Sequence, residues 1–391
     1  MDIIHGPPIR IQPYFGYRSR HRLVLAARAL RSGKPVFGAA NGGRQAGGRI
    51  QALRTMITQF ASREQPDLPV RLEIKSPAGT THTHDAVTDS EGFVRFDIAL
   101  GELDGSNMEE GWDLPADPAW ETASLHWENR KGPQCVHAHM LVPGSNTTIA
   151  VVSDIDDTII ETGITGGFRQ FLRNWRRVLA QLPEERIAVP GSDAFYNVLG
   201  GGEVLREADE VGARVAASHR PFFYVSSSPW NLFSYLVQFQ RHNKLPLGPL
   251  MLRDWGLNRA TFGSSSHGAH KAGAIADILE TYPDIKFALI GDDTQGDLTA
   301  YAKVVAAAPE RIAAVFIRTA GEAMTPEELA AKAAIEDTGV HLWLGDDYAT
   351  GHAFLEDIGL AGDGEAENIV ETVEQVAASG EAADALSTRS S

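Results

Sequence analysis

Residues 149–158 read Ile-Ala-Val-Val-Ser-Asp-Ile-Asp-Asp-Thr, a short apolar run followed at once by three carboxylates. A run of this length is typical of a strand that is buried on both faces of a parallel α/β sheet. In such sheets, functional groups lie just beyond the carboxyl ends of the strands. Carboxylates crowded at one strand end repel one another unless a cation neutralises them. The stretch therefore predicts the fold of this part of the chain and a cation site at the edge of the sheet.

Four more apolar runs follow the first, and longer stretches with helical spacing separate them. These runs are Phe222–Val225, Phe287–Ile290, Ile312–Ile317 and Val340–Leu344. Two of them also end in polar residues, with Ser-Ser-Ser at 226–228 and Gly-Asp-Asp-Thr-Gln-Gly-Asp at 291–297. The pattern predicts one parallel α/β domain over residues 146–361.

A lysine completes this set of polar residues. Lys271 follows a predicted loop at Gly263–His270 and is predicted to open a helix ahead of the third run. An Asp-x-Asp-x-Thr motif alone is a weak signal, because it arises by chance in roughly one chain in ten. Its occurrence at a strand end, together with the serines, the lysine and the second acidic loop, makes coincidence improbable.

These elements, in this order, resemble the haloacid dehalogenase superfamily. The resemblance implies a Rossmann-like parallel sheet and Mg²⁺-dependent phosphoryl transfer. It implies that Asp154 is the nucleophile and forms an aspartyl-phosphate, and that Asp156 is the general acid and then the general base. Dehalogenases lack an acid at the position of Asp156, so its presence favours phosphoryl transfer over dehalogenation.

The resemblance also implies roles for the remaining polar residues. Ser226 would bind a phosphoryl oxygen, although Ser227 or Ser228 could take this role and Ser226 could instead cap the helix that follows. Lys271 would neutralise the charge of the phosphate, and Lys286 is a rival of lesser fit. The predicted metal ligands are Asp154, Asp156 through its carbonyl, Asp292, and Asp297 behind them, where Asp297 orients Lys271 or a metal-bound water.

A narrower resemblance rests on residues 152–159, 224–232 and 252–256. These stretches look like the catalytic domain of the actin-patch phosphatidate phosphatase family and its bacterial members. The resemblance covers residues 146–345, and Pro-Tyr-Phe-Gly-Tyr at 13–17 is similar to the lead-in of the bacterial members. It implies Mg²⁺-dependent release of phosphate from phosphatidate, which leaves diacylglycerol.

Three departures from the family pattern leave the substrate open. Asp293 and Thr294 stand where small uncharged residues are expected, and Ser227 stands where Asn is expected. The alternatives are a phosphatase of soluble phosphomonoesters and a catalytically silent module that binds lipid or protein. A phosphomutase is a third alternative, although the insertion at 162–217 looks modest for the cap that excludes water from a mutase.

An amphipathic helix is predicted at Phe168–Leu179, with aromatic and aliphatic residues on one face and four arginines largely on the other. Such a helix beside an active site would contact an anionic membrane surface. The alternative is a cap helix that packs its apolar face on the core, with its arginines in water.

The first 145 residues are predicted to form a small β-sandwich-like domain with a helical insertion near 50–60. Val94–Leu100 alternates between apolar and polar residues, and turn residues at 88–92 predict a hairpin with Thr81–Val87. Two histidine pairs stand apart from this pattern, His82 with His84 and His137 with His139. If their strands were neighbours, the four imidazoles could bind Zn²⁺; the alternative is that they lie separately on the sheet surface.

The chain has 391 residues, 43% of them hydrophobic, and a net charge of −16. The apolar fraction excludes wholesale disorder, and the charge argues against bulk binding to nucleic acid. Apolar runs are too short to cross a bilayer, the first residues do not resemble a secretory signal, and the one cysteine fits a reducing compartment. We therefore expect a cytoplasmic protein, peripheral to membranes if the amphipathic helix binds them. Residues 362–391 hold seven acids and one arginine and are predicted to be a disordered tail.

Overall fold

The computed structural model describes residues 8–31, 63–103, 111–155, 191–200, 211, 214–253, 267–293, 296–319, 321 and 323–361. The strands within these ranges are β1 (Ile9–Pro13), β2 (Gly16–Arg18), β3 (Arg22–Arg31), β4 (Arg63–Glu64), β5 (Pro69–Lys75), β6 (Thr81–Val87), β7 (Phe93–Ala99), β8 (Ala119–Asn129), β9 (Gly132–Val142), β10 (Ile149–Ser153), β11 (Arg214–Ala216), β12 (Phe222–Pro229), β13 (Leu250–Arg253), β14 (Lys286–Asp292), β15 (Ile312–Arg318) and β16 (His341–Gly345). The helices are α1 (Ser192–Gly200), α2 (Phe233–His242), α3 (His267–Thr281), α4 (Asp297–Ala307), α5 (Pro326–Glu336) and α6 (Tyr348–Asp357).

The C-terminal half of the chain forms a six-stranded parallel sheet in the order β13-β12-β10-β14-β15-β16. All five apolar runs of the sequence are strands of this sheet, so the prediction of a parallel α/β fold is confirmed. The runs are continuous because side chains on both faces of β10, β12 and β14 are buried. β10 lies between β12 and β14, so Asp154 leaves the sheet near its centre.

Nine strands of the N-terminal part, β1 to β9, form a sheet that is mostly antiparallel and that β11 extends to ten strands. Side chains from β3 and β7 pack against those of β5, β8 and β9 in one hydrophobic core. The chain thus covers a core from two sides, as a sandwich does, but the strands form a single hydrogen-bonded sheet that curves around it. The expectation of a small β-sandwich-like domain was correct for the layered core and wrong for the number of sheets.

The predicted hairpin between Thr81–Val87 and the next strand is wrong. β6 pairs with β5, whereas β7 pairs with β3. The turn itself forms, because the N–H of Asp89 donates to the carbonyl of Phe93 at 2.8 Å. After this turn, the chain crosses to the other side of the hydrophobic core. There the apolar side chains of β7 pack into the core from the side opposite β5.

A short strand from the C-terminal half joins the N-terminal sheet. β11 pairs antiparallel with the first residues of β8. A partly buried ion cluster fixes this junction: Nε of Arg18 donates to Oε2 of the buried Glu121 at 2.7 Å, and Nε of the more exposed Arg214 donates to Oε1 at 2.9 Å. Arg18 is fully buried. The two sheets are therefore connected by more than the chain that runs from β9 to β10.

Replacement of Glu121 by glutamine is expected to destabilise the protein by about 3–5 kcal/mol at pH 7, because it leaves the buried Arg18 without its counter-ion. Burial raises the pKa of Glu121, but the two arginines outweigh this effect and hold the pKa below its ordinary value. The stabilisation by Glu121 is therefore present at neutral pH and lost as the pH falls through that lowered pKa. Urea unfolding at pH 7 and at low pH measures both effects.

The matched control is Glu336→Gln, which breaks an exposed pair with Lys332. Such pairs contribute about 0–1 kcal/mol. Equal losses of stability in the two variants would contradict the role of the buried cluster.

Three predicted segments lie outside the described residues: the helical insertion near 50–60, the amphipathic helix at Phe168–Leu179 and the acidic tail at 362–391. They stay predictions. Within the described part of the chain, no helix has the length and apolar character that crossing a membrane requires.

Candidate active site

Asp154 directly follows the central strand β10 and is fully buried. Its N–H donates to the carbonyl of Ile290 at 2.8 Å, and the same carbonyl accepts the hydroxyl of Tyr301 at 2.8 Å. The preceding residue, Ser153, shares a 2.7 Å hydrogen bond with the hydroxyl of Tyr196. Burial raises the pKa of both tyrosines, so they stay neutral. These bonds hold the backbone on both sides of Asp154 in place.

Lys271 reaches this carboxylate from α3. Its Nζ lies 3.0 Å from Oδ1 of Asp154 and also contacts Oδ1 of Asp297. The helix begins at His267, so Lys271 lies in its second turn and residues 267–270 are helical, contrary to the predicted loop. Side chains of a helix point toward its N-terminus. A lysine one turn inside the helix therefore still reaches the edge of the sheet.

Asp292 and Asp297 reach the same point from β14 and the first turn of α4, and both are buried. Oδ2 of Asp297 accepts the N–H of Asp292 at 3.2 Å. Gly291 leaves room for this carboxylate, because a Cβ atom there would lie 2.5 Å from Oδ2 of Asp297. Gly296 has a φ of 78°, a left-handed conformation that turns the chain into α4.

The four charged groups leave a net negative charge in the site. Asp154, Asp292 and Asp297 each offer a carboxylate oxygen, and these atoms lie within 4.8 Å of one another. Burial lowers the pKa of Lys271, but the three carboxylates outweigh it and raise the pKa above its ordinary value, so the lysine stays charged. Three carboxylates and one ammonium give these four groups a formal charge of −2. The donor set therefore fits a hard divalent cation, which prefers oxygen ligands.

Ser226 lies at the same edge of the sheet. Tyr224 is the strand partner of Ser153, and Ser226 follows it by two residues. The hydroxyl of Ser226 accepts the N–H of Ser228 at 2.9 Å, just before the turn of 3₁₀ helix at Trp230–Leu232. Ser228 still belongs to β12, and the N-cap of the helix, Pro229, receives no side-chain hydrogen bond, so this contact is a local turn and not a helix cap. It does not exclude binding of a phosphoryl oxygen. The strand order thus places Ser226 beside Asp154.

Asp156 lies outside the described residues, so its role as a metal ligand and general acid stays a prediction. The structure brings together Asp154, Lys271, Asp292 and Asp297, four of the six predicted site residues. Their positions follow from the parallel sheet, because β10 and β14 end at the same edge.

The N-terminal sheet braces the helix that carries Lys271, and sequence analysis did not predict this contact. Asp277, on α3, accepts the hydroxyl of Tyr17 at 3.0 Å and Nη1 of Arg22 at 2.9 Å. Arg22 also pairs with Asp97 on β7. These partners lie far apart in the chain, and no local pattern identifies them.

The four histidines do not converge on one zinc site. His84 lies opposite Leu72, which in turn lies opposite Leu125 on the buried face of the sheet. His137 lies opposite Ser124, the neighbour of Leu125, and therefore points to the other face. Because alternate residues of a strand face opposite sides, His82 and His84 lie on one face of the sheet, and His137 and His139 lie on the other. The zinc interpretation is wrong.

Comparison with known proteins gives one family and two relatives. Residues 149–319 match the family model described as the catalytic domain of the phosphatidate phosphatase APP1. Phosphatidate phosphatase APP1 of Saccharomyces cerevisiae is 29% identical over 280 residues, which are 70% of this chain and 41% of that protein. An uncharacterized protein of Schizosaccharomyces pombe is 29% identical over 172 residues, 44% of this chain and 25% of that protein. The matched stretch begins at β10 and ends just beyond β15, so it contains every charged residue of the described cluster.

The chain spans about two fifths of the length of the yeast phosphatase. Among solved structures, the FAD/NAD-binding domain of nitric oxide dioxygenase from Vibrio cholerae aligns with 81% of this chain and 100% of its own. The sequence identity is 9% and the TM-score is 0.15, so this alignment says nothing about the fold or the site.

Proposed function

We propose that this protein is a Mg²⁺-dependent phosphatase that hydrolyses phosphatidate to diacylglycerol and phosphate. One observation carries the proposal: the buried cluster of Asp154, Lys271, Asp292 and Asp297 lies inside the stretch that matches a phosphatidate phosphatase catalytic domain. Burying three carboxylates around one lysine is costly for a fold, and phosphoryl transfer at a cation site is a chemistry that needs them.

In the proposed reaction, a carboxylate oxygen of Asp154 attacks phosphorus, and the bond from phosphorus to the glycerol oxygen breaks. Asp156 donates its proton to that leaving oxygen, so diacylglycerol departs as a neutral alcohol. Asp156 then takes a proton from water, whose oxygen attacks phosphorus and breaks the bond to Asp154. Phosphate leaves, and both carboxyl groups return to their starting states.

Lys271 holds the nucleophile in this scheme. Its contact with Oδ1 of Asp154 fixes the orientation of the carboxylate, and its positive charge lowers the repulsion between the carboxylate and an incoming phosphate. Asp297 contacts the same ammonium group and so positions Lys271. Ser226, at the end of the neighbouring strand, would donate a hydrogen bond to a phosphoryl oxygen.

Asp154, Asp292 and the carbonyl of Asp156 would hold Mg²⁺, with Asp297 behind them. The cation would neutralise charge on the phosphoryl oxygens. The predicted helix at Phe168–Leu179 would bring the site to an anionic membrane surface, where a lipid substrate is found.

The test is phosphate release from short-chain phosphatidate and from a soluble aryl phosphate, each with Mg²⁺ and with a chelator. We expect Mg²⁺-dependent release that is much faster from phosphatidate. Comparable rates on both substrates would replace the lipid substrate by soluble phosphomonoesters and keep the mechanism. No release from either substrate would contradict the enzyme assignment and favour a silent binding module.

Replacement of Asp292 by asparagine is expected to raise the Mg²⁺ concentration for half-maximal activity by at least about 10–100-fold, because an amide is a weaker ligand than a carboxylate. The measurement is a Mg²⁺ titration of the initial rate. Asp284→Asn, the same chemical change in the exposed loop before β14, is the control and should leave the titration unchanged. An unaltered titration for Asp292→Asn would exclude this residue from the cation site.

A further inference from the structure

A cleft opens in the N-terminal sheet where two strands separate. β1 and β2 both pair with β3, and β2 continues into a parallel pairing with β9. β1 lies beside β9 without backbone pairing, and in the described part of the chain it pairs with β3 alone. The gap between β1 and β9, closed on one side by α2, encloses about 750 Å³. This volume lies in the range of pockets for small organic ligands, about 300–1,000 Å³.

The floor of the cleft is apolar. Ile9, Trp127 and Val136 line it and pack on the hydrophobic core of the N-terminal sheet. Phe233 and Val237, one turn apart on α2, form the opposite wall. An alkyl chain lying between these walls would bury apolar surface that water now contacts.

Among the described residues, the charged side chains along the cleft are all cationic. Arg10, Lys131 and Arg241 line it, and no described aspartate or glutamate does, although the whole chain carries a net charge of −16. Arg10 donates a hydrogen bond to Gln12, and burial lowers the pKa of its guanidinium. Guanidinium groups form strong hydrogen bonds with carboxylates and phosphates. The cleft therefore combines an apolar floor with cationic side chains.

We propose that this cleft binds a single-chain anionic amphiphile, with its alkyl chain on the floor and its carboxylate or phosphate head at Arg10 and Arg241. No residue of the catalytic cluster lines the cleft, so the inference is independent of the proposed function. The cleft reaches α2, which follows in the chain directly after β12 and the 3₁₀ turn. A ligand there would therefore contact the helix that follows the strand carrying Ser226.

The chain provides its own probe for this site. Cys135, the one cysteine of the sequence, is exposed and lines the cleft. The experiment follows the rate at which Cys135 reacts with a maleimide while dodecanoate is added below its micelle concentration. Because only the ligand-free fraction reacts, the rate should fall about tenfold when dodecanoate reaches ten times its Kd. Dodecyl phosphate in place of dodecanoate tests whether a phosphate head is also accepted.

Dodecanol and butanoate separate the two parts of the proposal. Neither should slow the reaction at the same concentration, because one lacks the anionic head and the other lacks the chain. Equal protection by dodecanol would overturn the role of the cationic rim. Protection by an acidic peptide but not by dodecanoate would show a strand-docking edge and would overturn the proposal.

Two variants locate the head group. Arg241→Gln, at an exposed position of α2, should weaken dodecanoate about tenfold, since it removes one charge-assisted contact. Lys332→Gln on α5 removes one positive charge away from the cleft and should leave the Kd unchanged. Circular dichroism establishes that both variants fold. An unchanged Kd for Arg241→Gln, with Arg10→Gln also unchanged, would refute the assignment.

Discussion

Replacement of Asp154 by asparagine is expected to abolish phosphate release, with kcat reduced about 10⁴-fold or more. The amide has nearly the same size as the carboxylate but is far too weak a nucleophile to form the phospho-enzyme. The fold should tolerate the change, because it removes one negative charge from a buried cluster of three carboxylates and one lysine. We therefore expect the metal-free variant to be as stable as the parent protein or more stable. Single-turnover assays and thermal unfolding with a chelator measure the two effects.

The second readout separates a catalytic role from a structural one. If Asp154 only held the fold together, its loss would lower both activity and stability. Asp284→Asn again serves as the control, since it removes an exposed carboxylate from the same domain. Activity of Asp154→Asn above one tenth of the parent value would identify another nucleophile and would reject the proposed chemistry.

Replacement of Lys271 by methionine is expected to remove activity and to destabilise the metal-free protein by about 3–5 kcal/mol. The lysine is in direct contact with both Asp154 and Asp297. Methionine fills a similar volume, so the effect comes from three buried carboxylates that lose their counter-ion. Urea unfolding gives the stability, and addition of Mg²⁺ should recover part of the loss because it supplies positive charge at the same place.

A second substitution tests this electrostatic account. Asp297→Asn, combined with Lys271→Met, should restore part of the lost stability, because it removes one of the unpaired charges. Lys286→Met, at the exposed start of β14, is the matched control and should change stability by no more than about 0.5 kcal/mol. Additive effects of the two substitutions at 271 and 297 would contradict direct coupling between these side chains.

The sequence predicted the parallel sheet well because its strands are buried on both faces. Such strands read as continuous apolar runs, as in 149–152 and 287–290, and these need no knowledge of distant partners. The polar residues after each run then predicted the edge at which Asp154 and Asp292 meet. A local pattern was sufficient, since parallel strands all end on the same side of their sheet.

Pairings between distant segments could not be predicted in this way. β7 shows the expected alternation, yet its partner is β3, a choice made by the shared core rather than by the turn at Asp89. The faces of His84 and His137 depend on the register of β5, β8 and β9, which no single strand reveals. The hydrogen bond from the hydroxyl of Tyr17 to Asp277 joins residues that are 260 positions apart in the chain, and no sequence motif predicts it.

The junction at β11 has a consequence for how the protein is made. The ribosome releases β8 long before Arg214–Ala216 are synthesised. Until then, the backbone of residues 119–121 cannot form its hydrogen bonds with β11. Glu121 likewise gains its second arginine, Arg214, only when this late strand has been synthesised. The N-terminal sheet is therefore completed only when translation has passed the central strand of the second sheet. We therefore expect the two sheets to complete their folding at the same stage of synthesis, although one follows the other in the sequence.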